Sequence, residues 1–358
     1  MMGTLFGQAV FSVGGQPCFW EDVVLTGLAS GEWALLEREL CFGLACVARA
    51  RAEQVLPGSD ELQAAAAAFR YERDLISAEE TSDWLARWKV RPEDWMEYLR
   101  RTLLRRRWAA DATSAMECSL PTDSEVDAAR HAEAVCSGTL ARLARSLAER
   151  AACTARAEIA STETANDDPV SPSVPDAFLA SDDLLAAAER LGIPCGRARE
   201  RLELLACVER SYRAFRRRVL SARALSSEIR AHQLEWTRVE CDSIAFESEA
   251  AAREALLCVR ADRQSLRDVA MAAHRAPTAQ RLYLDQLPPP LSDRAAGARP
   301  GEALGPLAVD GSFMVLQVSG KILPSENDPE IIGRAEASLF SRVAQRELLP
   351  AVQWQNVL

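Results

Sequence analysis

Apolar residues recur along most of this chain at spacings of three and four, with one early and one late departure. The stretch "AVFSVGGQPCFW" alternates apolar and polar positions and turns at Gly14-Gly15, so the chain opens on a short extended element. Helix starts then follow in series. Ser59 precedes Asp60 and Glu61, Ser77 and Glu80 have the spacing of a capping box, and Pro92 stands ahead of Glu93 and Asp94. Thr122 and Glu125 form a second box, which predicts a long helix running towards Ile159. Further on, Leu205, Val208, Tyr212, Phe215 and Val219 mark one face of an amphipathic helix expected from about Arg197 to about His232.

The period changes at Trp236. "WTRVECDSIAF" is rich in β-branched and aromatic residues, "SEAAAREALLCVRA" returns to a helical spacing, and Ser265 with Asp268 caps a shorter helix. "RLYLD" is extended, "LPPPLSDRAAGARPGE" holds a proline turn with a helical turn, and "SFMVLQV" is the last strand. The predicted order is β-α-α-β-α-β, followed by a helix opened by Pro329. The fold class is therefore α+β and mostly helical. It divides into a helical region 1–160, a linker 161–176, connecting helices 177–235, a small antiparallel-sheet domain 236–322, and a helix with tail 323–358. The linker assignment rests on "STETANDDPVSPSVPD", which has acids and prolines but no apolar period.

Composition narrows the function. A length of 358 residues suits about two domains, and a net charge of -10 lacks the basic footprint of a nucleic-acid binder. No run approaches the roughly 18 uninterrupted apolar residues of a membrane helix, and the amino terminus lacks the layout of a secretory signal. A cytoplasmic location is expected. The ten cysteines are scattered without a C-x-x-C and there are only three histidines, His131, His232 and His274. Neither set clusters as zinc ligands do, so no metal or other cofactor is expected, and the thiols read as reduced core residues.

The late segment carries a family likeness. "LDQLPPPLSDRAAGARPGEALGP", "DGSFMVLQVSGK" and "SEAAAREALLCVRADRQSLRDVAMAAH" together resemble, in order, the pocket segment, terminal hairpin and paired helices of a parvulin-type prolyl isomerase. "FRYERDLISAEETSDWLARWKVRPEDWMEYLRR" resembles the helical chaperone regions that flank parvulin domains in folding factors. Taken whole, the chain looks most like a parvulin-related group associated with ribosomally made, modified peptides, including the peptide-binding proteins of crocagin-type pathways.

That resemblance implies two histidines on neighbouring strands. Here one position holds Met314 and the other Ser243, or Asp242 if the register slips by one. Leu287 and Leu291 fall where the family contacts the substrate's proline, and Phe313 adjoins Met314. Twisting a prolyl amide starts from a resonance barrier of about 18–20 kcal/mol, which calls for polar groups as well as an apolar slot. The resemblance thus implies a slot without its catalyst: a non-catalytic protein holding a precursor peptide, with peptide-modifying enzymes as further partners. The alternatives are an active isomerase using Asp242, Ser243 or Cys241, and a general folding chaperone. The basic runs "RRTLLRRRW" and "RAFRRRV" read as solvated helix faces or as docking strips for an acidic peptide.

Overall fold

Side-chain caps set most of the helix starts. A computed structural model describes residues 3, 5–109, 120–163, 181–309 and 311–355. Of the expected linker, 161–163 close a helix and the remainder lies outside the described residues. The chain forms two units, Met1–Arg216 with Val343–Leu358, and Arg217–Arg342.

In the first unit β1 (Ala9–Val13) and β2 (Gln16–Phe19) form the opening hairpin. Helices α1 (Trp20–Ala29), α2 (Glu32–Ala52), α3 (Ser59–Tyr71), α4 (Ala78–Arg87) and α5 (Pro92–Arg107) follow. The cap of α3 lies one residue earlier than expected, at Gly58, whose N–H donates to Glu61 at 3.0 Å. The Ser77–Glu80 box closes both ways, at 2.8 and 3.0 Å. The long helix expected after Thr122 is two helices, α6 (Asp123–Cys136) and α7 (Thr139–Glu163). Gly138 separates them with φ of 78°, a left-handed conformation that side-chain-bearing residues resist.

Helices α8 (Asp182–Arg190) and α9 (Cys195–Val219) follow. The expected single helix to His232 also breaks, because Ser221 caps a new one, α10 (Ala222–Ala231), by accepting from the N–H of Ala224 at 3.4 Å. The chain then leaves the first unit and returns to it at its end. There β7 (Val352–Trp354) pairs with β1, and Trp354 meets Phe11 edge-on with ring centroids 5.3 Å apart. The tail expected as an appendage is thus a strand of the first sheet, ordered β2-β1-β7.

The core of this unit gathers Trp20, Leu25, Trp33, Leu40, Leu104, Leu140, Leu143 and Leu147, all essentially buried. Phe69 stands among Trp84, Trp95 and Tyr98, with the Arg73 guanidinium 3.7 Å above its ring. Glu133 is fully buried and holds Arg101 at 3.0 Å and Arg105 at 2.9 Å. Arg100 pairs with Glu97 and Arg107 with Glu61, so most of the first basic run is engaged by the unit's own carboxylates. That run is neither a bare solvated face nor an open docking strip. The nine described cysteines are free thiols; Cys46, Cys136, Cys153 and Cys241 are buried, whereas Cys195 and Cys207 are exposed rather than in the core. Among the described residues no helix is long and apolar enough to cross a membrane.

The second unit runs through α10 to β3 (Arg238–Phe246), α11 (Glu249–Ala261), α12 (Leu266–Ala272), β4 (Thr278–Tyr283), α13 (Pro289–Gly297), β5 (Ala303–Val309), β6 (Ser312–Ile322) and α14 (Pro329–Val343). Its sheet is antiparallel, ordered β4-β3-β6-β5. The proline-led extended segment before the last strand, left out of the predicted order, is a strand, β5, so the order is β-α-α-β-α-β-β. Across Gly305-Pro306 its register with β6 shifts.

Candidate functional site

Alternation along β3 and β6 sorts the unit's apolar residues onto two faces of one sheet. Ile244, Phe246 and Val315 turn to α11 and α12, where they meet Ala252, Leu256, Leu266 and Val269, with Phe313 beside them. Val239, Cys241, Leu316 and Val318 turn the other way, to Leu291 and Ala295 of α13 and to Ala298 just past its end. Around the rim of this second face Leu282 and Leu287, on the β4 side, and Leu307 and Met314, on the β5–β6 side, pack on the cluster but are only partly buried. Leu307 pairs with Met314 and Met314 with Ala245, which aligns those two across β5, β6 and β3, whereas Leu282 lies in the row of Val239.

The six residues singled out from the sequence divide between the faces. Leu287, Leu291, Met314 and Ser243 belong to the α13 face; Ser243 pairs with Leu316, whose side chain lies there. Asp242 and Phe313 belong to the opposite face, so they do not join the others in one groove. Asp242 pairs with Gln317 and holds Arg267 of α12 through two bonds of 2.9 and 3.1 Å. A side-chain period of two makes a one-residue choice a choice of face. Leu282 and Leu307 were missed. Leu282 could have been found from its alternation with Gln280, and Leu307 from the extended segment that Pro306 leads.

The polar groups near the α13 face are bonded or protonated. The Ser243 hydroxyl is buried and donates to the carbonyl of Thr278 at 3.1 Å. Burial pushes the Cys241 thiol up to about 11, and the charge of Asp242 adds to the shift, so it is a thiol and not a thiolate near neutrality. His274 is exposed at the end of α12 with φ of 53°. His232 stacks on Trp236 at 4.7 Å and lies between Glu228 and Glu235. Neither histidine stands on a strand of this sheet, and His131 belongs to the first unit.

A cleft of about 490 Å³ in this unit lies at another margin, among Arg263, Ser265, Glu302 and Gln317. A larger one, about 1160 Å³, lies in the first unit between α2, α6 and α8 and mixes Phe42 and Val126 with Arg38, Arg130, Glu37 and Asp127. No group of three or more metal-ligating side chains occurs among the described residues.

A scan against protein-family models finds no match for this chain, and comparisons with curated proteins and with solved structures find none either.

Proposed function

We propose that the second unit is a catalytically degenerate parvulin-like module and that the protein holds a precursor peptide while other enzymes mature it. The observation that carries this is the margin of the α13 face. Leu282, Leu287, Leu307 and Met314 offer partly exposed apolar surface, while the neighbouring polar groups are turned away, protonated or already bonded. Such a surface can take apolar side chains of an extended peptide and has little with which to reorganise a prolyl amide. The element order and the small antiparallel sheet wrapped by helices support the parvulin likeness. The precursor-peptide role and the modifying enzymes as partners follow from the family likeness, and a cytoplasmic setting from the scattered, unpaired cysteines.

The test is to purify the tagged protein from its own host and identify co-eluting peptides by mass spectrometry. One dominant short peptide is expected. In a protease-coupled assay on Xaa-Pro peptides the turnover should stay at the uncatalysed rate. Turnover above it that disappears in Asp242→Asn would make the protein an isomerase and end this reading.

One observation favours the chaperone alternative. Tyr71 and Ile76 of the first unit, five residues apart, are 87% and 90% exposed and offer side chains that an unfolded chain can cover. A broad mixture of unfolded chains on the column would select that reading.

A further inference from the structure

The two outer strands of the second unit's sheet are unequal. β5 is interrupted as a pairing edge. Pro306 has no N–H to offer, and the outward carbonyl of Ala303 is taken by Arg260 of α11 at 2.9 Å. β4 is different. The N–H of Leu284 donates to Thr237 O at 3.1 Å, and the β3–β4 register continues this alternation through Leu282, Gln280 and Thr278. The amides and carbonyls of Ala279 and Arg281 therefore point away from the sheet. Among the described residues no hydrogen bond reaches them. The opening is bounded on one side by Pro277 and on the other by Gln286, whose side-chain oxygen accepts from the N–H of Tyr283 at 3.2 Å.

We infer that β4 is a docking edge, at which an extended peptide adds as a fifth strand over Ala279–Arg281. This rests on the peptide-holding reading above and adds where the backbone binds and in which phase. In the added strand, residues hydrogen-bonded to Ala279 and Arg281 turn their side chains to the α12 face. There they meet Arg281, whose side chain is 72% exposed and 3.2 Å from Glu240. The residues between them turn to the α13 face, beside Leu282 and Leu287. The occupant that fits alternates apolar with acidic side chains. A second copy of the chain fits poorly, because antiparallel pairing of two β4 strands in this window sets Arg281 opposite or diagonal to its own copy.

The probe is a fluorescein-labelled heptapeptide of alternating valine and glutamate, titrated against the full chain by fluorescence anisotropy. Two N-methylated versions decide the phase. Methyl groups on the glutamate amides should weaken binding about tenfold or more, equivalent to about 1.4 kcal/mol, while methyl groups on the valine amides should change it less than about twofold. Ala279→Pro removes an outward N–H without removing a ladder bond and should weaken binding by a similar factor. Should that variant not fold, the methylated pair still decides.

If both methylated peptides bind alike, or if Met314→Ala weakens binding while Ala279→Pro does not, the peptide lies on the apolar face and the edge assignment falls alone. If neither this probe nor a random heptapeptide pool binds, the peptide-holding reading falls and the edge with it. A dimer that Ala279→Pro disperses, with no peptide bound, would give the edge to a second copy and overturn the proposal.

Discussion

Gly305 adopts φ of 137°, and a Cβ placed there would come 2.9 Å from the Met314 carbonyl and 3.3 Å from Val315 Cα. Both obstacles are backbone, so neither can swing aside. Gly305→Ala should cost about 1–3 kcal/mol, read as a lower denaturation midpoint of the second unit. Glu133 poses the opposite problem, a charge that cannot be withdrawn. Glu133→Ala would leave Arg101, which is 3% exposed, without its carboxylate, and should cost about 3–5 kcal/mol in urea titration. Changing Glu133 and Arg101 together to apolar residues should recover part of that loss. His131 adds a pH dependence. Burial pushes its imidazole below the ordinary 6.5, outweighing its 2.8 Å bond to Trp88 O. The unfolded chain then takes up a proton that the folded unit refuses. The stability it contributes is full above pH 6.5 and is lost as the pH falls below. Thermal melts between pH 7 and 5 should show this slope, and His131→Gln should flatten it.

At the scale of elements, legibility followed how local the determinant was. The boxes at Ser77, Thr122 and Ser265 depend on four consecutive residues, and each forms a helix start at its expected place. The strand β3 announced itself through Val239, Cys241, Ile244 and Phe246. What stayed hidden were breaks inside a continuing apolar period. Cys136 and Leu140 are both buried across the interruption at Gly138, so their spacing alone does not reveal two helices. The same holds between α9 and α10, where Ser221 makes the cut. Ser221→Ala should shorten α10 and cost about 0.5–2 kcal/mol, visible as faster amide exchange over Ala222–Ala224. The candidate site was half legible. Leu287, Leu291 and Met314 lie together, but the face of Asp242 depended on a register that only pairing with β6 fixes. Its bond to Arg267 joins residues 25 apart in sequence, beyond any local signal.

For the whole molecule, the informative feature is connectivity. The first unit is completed by Val343–Leu358, after the chain has passed through Arg217–Arg342. A π-helical turn over Ala344–Leu348, with both end residues buried, a 3-10 turn and a three-residue strand mark the return. Nothing in so brief a segment identifies its partner, so β7 was read as a tail. Removing the residues from Ala344 onward should lower the melting temperature of the first unit and leave that of the second within about 2 °C, measured by calorimetry.

The same connectivity sets an order of events at the ribosome. Translation of Arg217–Arg342 must finish before Val352–Trp354 exists to meet Phe11. At about 5–20 residues per second that is a delay on the order of ten seconds. Through that interval β1 has β2 on one side and an open edge on the other. The nascent helical unit therefore waits, incomplete, with its first sheet one strand short, while the unit proposed to hold a peptide is being made.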